Sequence, residues 1–191
     1  DNRGRAYMDQ VPDHQEIYRL SGKWATEDFG AAKLLGLRKV YPEMYDKIAC
    51  VLSLSEWIAW MFTGETVMEY SQACRKYGLE MDILPPLAAA GTVVGPVLPQ
   101  LQQELHMAEG APFILGGADT QVALRQTGIG PGDIAVVSGT TSPVVTEMEQ
   151  LFYDPDQRVW TDAGLGGNTY QVEMNAGVTG LNYQRFRDNL Y

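Results

Sequence analysis

The segment from Gly116 to Thr141, GGADTQVALRQTGIGPGDIAVVSGTT, constrains the fold more than any other part of the chain. It closes an apolar run, PFIL, on a glycine pair and places an acid almost directly after it. Asp119 then opens a short helical pattern, as an N-cap, and Gly128 stands where a helix C-cap is expected. Pro131 and Gly132 break the chain before the apolar run DIAVV, which leads to Gly139, Thr140 and Thr141. Strand, helix, break, strand and turn in this succession predict an α/β architecture whose strands deliver loops to a cleft. The internal boundary is expected at GIGPGD.

The flanking segments fit this scheme. A short helix is expected around Asp13 to Leu20, and a helical hairpin across TEDFGAAKLLGLRKVYPEMYDKI, with Thr26 and Asp28 as capping candidates and a restart at Pro42. ACVLSL reads as a strand. SEWIAWMFTG reads as a helix capped by Ser55 and stopped by Gly64, with Trp57, Trp60 and Met61 expected in the core. A proline- and glycine-rich passage follows from Leu84 to Pro99, in which Thr92 to Val94 is able to pair at a sheet edge. PQLQQELHM reads as a short helix, PFILGG as a buried strand, DIAVVSG, SPVVTEM and NTYQVEM as strands, and Thr179 to Leu190 as a terminal helix.

Composition narrows the function classes. With 191 residues and 45% apolar content the chain is able to bury a sizeable core. A net charge of −10 argues against nucleic acid as the main partner, because phosphate neutralisation needs clustered Lys and Arg. It leaves phosphorylated small molecules open, since backbone amides and helix N-termini bind phosphate without net positive charge. The longest apolar runs fall well short of the roughly 18 to 20 residues of a membrane helix, so no membrane partner is expected. Cys50 and Cys74 match no metal spacing and no disulfide framework, which fits a reducing, cytoplasmic location. His14 and His106 are isolated, make no metal pair and are expected to face solvent.

Asp119 lies where a strand hands over to a helix, so its carboxylate is able either to face a cleft as a general base or only to cap the helix. Gly139, Thr140 and Thr141 form either a phosphate-facing turn or an ordinary hairpin. Taken one at a time, neither signal decides.

Their order does. GGADTQVALRQTGIGPGDIAVVSGTTSPVV resembles the central signature of the FGGY carbohydrate kinases, in which Gly-Gly-x-Asp, a short helix, Gly-x-Gly, Pro-Gly and Ser-Gly-Thr follow one another. LSLSEWIAWMFTGETVMEYSQA, ILPPLAAAGTVVGPV and the opening DNRGR are similar to further blocks of that family, and the tail TDAGLGGNTYQVEMNAGVTGLNYQRFRDNL most resembles its xylulose kinase and autoinducer-2 kinase branch. The resemblance implies a ribonuclease-H-like, actin-like ATPase fold of two domains. Residues 1–130 would belong to the first, with the sugar side and the base, and residues 131–191 would open the second, with the ATP side.

It further implies transfer of the ATP γ-phosphoryl group to the hydroxyl of a ketose or polyol, xylulose-like by preference, with autoinducer-2 as the alternative. Asp119 would be the base, and Thr120, Asp28, Asp1 and Arg3 would border the sugar. Gly139, Thr140 and Thr141 would meet the ATP phosphates, with Mg2+ as the accompanying ion, held by no residue identified in this chain. A homodimer is expected on general grounds. The family's N-terminal Asp-x-Gly-Thr loop and C-terminal glycine-rich adenosine site have no counterpart here, and SQAC runs straight into RKYGLEMDILPP. The chain is therefore expected to be part of a longer kinase, with residues absent at both ends and between Cys74 and Arg75, and to be inactive alone. A reading of another class is a catalytically inactive sugar-binding or oligomerisation module.

Overall fold

A computed structural model describes residues 3–11, 13–27, 29–73 and 81–190. A 3-10 segment, Arg3–Gln10, leads into α1 (His14–Ser21), whose first turn is capped by Asp13: the carboxylate accepts from the amides of Gln15 at 2.9 Å and Glu16 at 3.4 Å. Gly22, in the left-handed conformation, ends α1. Next come α2 (Gly30–Val40) and α3 (Pro42–Tyr45), the expected hairpin. The cap of α2 falls on Phe29 and carries no side-chain hydrogen bond, so Thr26 does not fill that role; Asp28 lies outside the described residues. Val11, Ile17, Ala32 and Leu35 form the core of this helical layer, with Met8 and Ala25 packed against it.

ACVLSL is not a strand. It runs as irregular chain, fastened where the Val51 amide donates to the Ile83 carbonyl at 2.7 Å. Helix α4 (Leu54–Thr63) starts two residues before the expected site, with Ser53 at the cap, because Glu56 reaches back to accept from the Ser53 amide at 2.6 Å. Trp57, Trp60 and Met61 are exposed at 47, 43 and 45%, not in the core, because no described element covers that face of α4; only Glu56 and Ala59 are buried on it.

The short strand β1 (Met68–Glu69) pairs in parallel with β2 (Leu87–Ala88), and between them the chain forms one helical turn, α5 (Tyr70–Ala73), and a 3-10 turn, Met81–Ile83. β3 (Val93–Pro96) pairs antiparallel with β4 (Pro112–Ile114), and α6 (Pro99–Glu104) connects them. β4 is an exposed edge rather than a buried strand, with Ile114 open to solvent. Helix α7 (Asp119–Thr127) follows and ends at Gly128, as expected. The last unit is a four-stranded antiparallel sheet of β5 (Ile134–Val136), β6 (Pro143–Met148), β7 (Trp160–Ala163) and β8 (Tyr170–Asn175), in the order β5-β6-β8-β7, closed by α8 (Thr179–Leu190). Among the described residues no helix is long and apolar enough to cross a membrane.

The turn before β7 is held by Asp154, which is almost fully buried. Its carboxylate accepts from the Arg158 guanidinium at 2.9 and 3.0 Å and from the amides of Arg158 at 2.8 Å and Asp156 at 3.2 Å. The guanidinium first, and the amides with it, hold this carboxyl below the ordinary carboxylate range. A depressed folded value contributes stability that is complete above the unfolded value and fades as the pH falls through the folded one. Acid unfolding is therefore expected to set in below about pH 4, and Asp154→Asn is expected to flatten that limb; an unchanged acid limb in urea titrations would contradict it.

Candidate active site

Helix α7 begins one residue earlier than a cap at Asp119 would require, so the expected N-cap role of this acid is not the one present. Ala118 occupies the cap, and Asp119 is the first helical residue, exposed, its Oδ1 accepting from the Thr120 amide at 2.8 Å. The carboxylate thus stands at the mouth of the helix instead of satisfying its far amides, and it remains open to a ligand.

Beside it lies a cavity of about 280 Å³ with Thr120, Lys23, Trp24, Thr26, Phe29, Trp160 and Glu173 in its wall. Three segments far apart in the chain meet here: the first turn of α7, the connection from α1 to α2, and strands β7 and β8. The connection is clasped to β7 throughout. Tyr18 Oη donates to the Val159 carbonyl, the Thr161 amide donates to the Gly22 carbonyl at 2.8 Å, and the Trp24 and Trp160 rings meet edge to face at 5.2 Å. Gly22 combines a positive φ of 68° with a close approach that a Cβ would spoil, lying 2.7 Å from Thr161 Cβ.

The charges of the cavity are already committed. Lys23 Nζ donates to Asp162 Oδ2 at 2.6 Å, with both side chains 5% exposed or less, and sits 5.6 Å from the centre of the Trp160 ring. Asp162 Oδ1 is buried without a partner. Burial pushes the Glu173 carboxyl up, against the pull of hydrogen bonds from Asn175 and Trp160. The wall therefore offers three aromatic rings, hydroxyls and one carboxyl, and among the described residues lining it no uncommitted cation. That combination suits a small uncharged molecule bearing hydroxyl groups.

The turn Gly139-Thr140-Thr141 joins β5 to β6, with its hydroxyl-bearing side chains exposed. It is braced from behind by α8: the Gly180 amide donates to the Thr140 carbonyl at 3.2 Å, and Ser142 Oγ and Thr179 Oγ1 share a hydrogen bond. A Cβ at Gly180 would lie 1.9 Å from the Gly139 carbonyl oxygen, so helix and turn touch backbone to backbone. The Gly139 amide is spent within the turn on the Thr141 carbonyl at 3.0 Å, so the exposed Thr140 and Thr141 hydroxyls are the groups this braced turn offers to a phosphate chain. Among the described residues no group of three or more His, Cys, Asp or Glu is placed to hold a metal ion, so no step is assigned to magnesium.

Of the residues singled out from the sequence, Thr120 lines the cavity and Asp119 adjoins it through the chain. Asp1 and Asp28 lie outside the described residues, and Arg3 is placed only by its backbone in the opening 3-10 segment. Lys23, Trp24, Trp160 and Glu173 were missed. Trp24 carried a signal, as a tryptophan in a loop outside any helical period, but its partner is 136 residues away. A larger cavity, about 480 Å³, opens further along α7 beside Gln121 and Arg125; it includes neither Thr120 nor the turn, and the smaller cavity is the one next to the acid.

No family model matches the chain. Similar proteins do. The candidate sugar kinase YoaC of Bacillus subtilis (strain 168) is 36% identical over 208 aligned residues, covering 100% of this chain and 42% of that protein. The autoinducer-2 kinase of Salmonella typhimurium (strain LT2) is 28% identical over 91% of this chain and 36% of its own length. A ligand-bound xylulose kinase from Lactobacillus acidophilus superimposes with a TM-score of 0.86 at 19% identity, over 100% of this chain and 43% of that one. These kinase relatives and neighbours indicate an FGGY carbohydrate kinase. Glycerol kinase from Plasmodium falciparum, solved with ADP, shares the fold of this chain at a TM-score of 0.81 and 18% identity, over 99% of this chain and 43% of that one. The actin-like ATPase fold expected from the sequence is thus the fold present, and the chain spans about two fifths of the length of the curated relatives it matches.

Proposed function

We propose that the protein transfers the γ-phosphoryl group of ATP to a hydroxyl of a small uncharged sugar, a xylulose-like ketose or a polyol, with Asp119 as the general base. The observation that carries this reading is the exposed Asp119 at the start of α7, flanked by a cavity of aromatic rings and hydroxyls, in a chain of this family. In this reading residues 1–130 contribute the sugar side and the base, and residues 131–191 open the ATP side. Thr120 borders the acceptor, and Gly139, Thr140 and Thr141 approach the phosphates of ATP.

The reaction balances simply. The acceptor oxygen forms a bond to the γ-phosphorus as the bond to the β,γ-bridging oxygen breaks, ADP leaves, and the hydroxyl proton passes to the Asp119 carboxylate. Positioning supplies most of the acceleration, because the transition state demands little covalent chemistry from the protein.

Commitment of Lys23 to Asp162, and the Glu173 carboxyl in the wall, favour a neutral acceptor over an acidic one. A gluconate kinase is among the proteins of this fold, so the distinction is worth testing. ADP release by the intact protein, measured with ATP and magnesium over ketoses, polyols, autoinducer-2 and gluconate, is expected to rise with a neutral acceptor and not with gluconate. Turnover of gluconate would refute the reading of the cavity. Silence on every acceptor together with loss of ATP binding would point to the non-catalytic module instead.

A further inference from the structure

We propose that Glu69 and Ser71 are positioning residues that hold the start of α7, and with it the Asp119 carboxylate; the inference rests on the proposed role of Asp119. Helix α7 begins without a side-chain cap of its own, so the Ala118 amide, at the cap position, has no partner within the helix. The partner comes from 47 residues away: Ser71 Oγ accepts from the Ala118 amide at 3.1 Å, in a buried contact. Ser71 is oriented for this by Glu69. The Glu69 Oε2 atom accepts from the Ser71 amide at 2.8 Å and also accepts the hydrogen bond of the Ser71 hydroxyl, which leaves a hydroxyl lone pair for Ala118.

Residue 117 completes the clamp. A Cβ there would fall 2.2 Å from Leu165 Cδ2, displacing that side chain, and 3.4 Å from Glu69 Oε2, so the Gly117 backbone runs in close contact with both. Gly117 and Ala118 are therefore fixed by other segments immediately before the acid. Among the described residues the side chain of Asp119 makes a local hydrogen bond, accepting from the Thr120 amide, so the direction of its carboxylate is inherited from that fixed backbone.

Glu69 is an expensive residue for a purely structural role. It is 1% exposed, its Oε1 has no partner, and burial pushes its carboxyl up. A carboxylate kept under those conditions does what an apolar side chain does not: it orders a hydroxyl that reaches the helix carrying the base.

The test compares Ser71→Ala, Glu69→Ala and Glu69→Gln in the intact protein. Ser71→Ala and Glu69→Ala are expected to lower kcat roughly ten- to a hundredfold, as displacement of a reacting group by a fraction of an ångström does, with sugar KM and ATP affinity near those of the parent. Glu69→Gln is expected to recover most of the loss, since its carboxamide oxygen accepts both Ser71 donors. Hydrogen exchange at the Ala118 amide should accelerate in both Ala variants and not in Gln. A purely structural role predicts a lowered melting temperature with kcat per folded molecule unchanged, and that result would overturn the proposal. So would parental Ala118 exchange in Ser71→Ala, which can be read even if the protein turns over no acceptor; absence of turnover in the parent would count against the kinase reading alone.

Discussion

Asp119→Asn is expected to lower kcat roughly 10²- to 10⁴-fold, the usual worth of a positioned general base, while ATP binds as in the parent. The substitution keeps size and shape, and the Asn Oδ1 still accepts from the Thr120 amide, so the start of α7 is preserved. What disappears is the proposed proton acceptor. The turn proposed to meet the ATP phosphates lies in the separate β5-β6 hairpin and is braced by Gly180 and Thr179 of α8, whose bracing hydrogen bonds go to that turn and not to Asp119. ADP release gives kcat, and calorimetric titration with ATP gives the affinity. An Asn variant as fast as the parent would remove Asp119 from the reaction. A variant that also lost ATP would place the acid in nucleotide binding rather than in proton transfer.

The largest effect on stability is expected at Lys23. Lys23→Met leaves Asp162 as a buried carboxylate whose second oxygen already lacks a partner, and such an uncompensated charge costs about 3–5 kcal/mol. That is a large share of the roughly 5–15 kcal/mol by which a domain is stable. The pair also joins the α1 to α2 connection to strand β7, so its loss loosens one wall of the cavity. Urea unfolding measures the cost. The double variant Lys23→Met with Asp162→Leu should recover most of it, because removing both partners of a buried pair leaves no orphaned charge. A single variant within about 1 kcal/mol of the parent would match the modest worth of a solvated surface pair.

Several elements were legible because their signals are local. The stop of α7 at Gly128, the hairpin of β5 and β6, strand β8 and the span of α8 from Thr179 to Leu190 follow from glycines, alternation and helical period within a few residues. The misreadings share one cause. The apolar face of α4 is visible in the sequence as a period, but a period says nothing of what covers the face, and Trp57, Trp60 and Met61 lie exposed. ACVLSL has strand composition, yet a strand exists only when a neighbour completes its ladder, and the hydrogen bond from Val51 to Ile83 is not a ladder. Ser55 looked like a cap until the reach of Glu56 to Ser53 moved the helix start. At the site, Asp119 and Thr120 were legible from the order of the glycine-flanked blocks, whereas the remainder of the cavity wall was not.

By itself the sequence carried the resemblance to a family, the order of its blocks and the place of an acid where a strand hands over to a helix, because these depend on spacing along the chain. Only the tertiary structure decided which groups stand beside that acid. Lys23 meets Asp162 across 139 residues, and Ser71 reaches Ala118 across 47. A lysine is buried stably only where a carboxylate from elsewhere faces it, and a serine hydroxyl acquires a direction only when both of its partners are in place. Such partners are brought together by folding rather than by sequence distance.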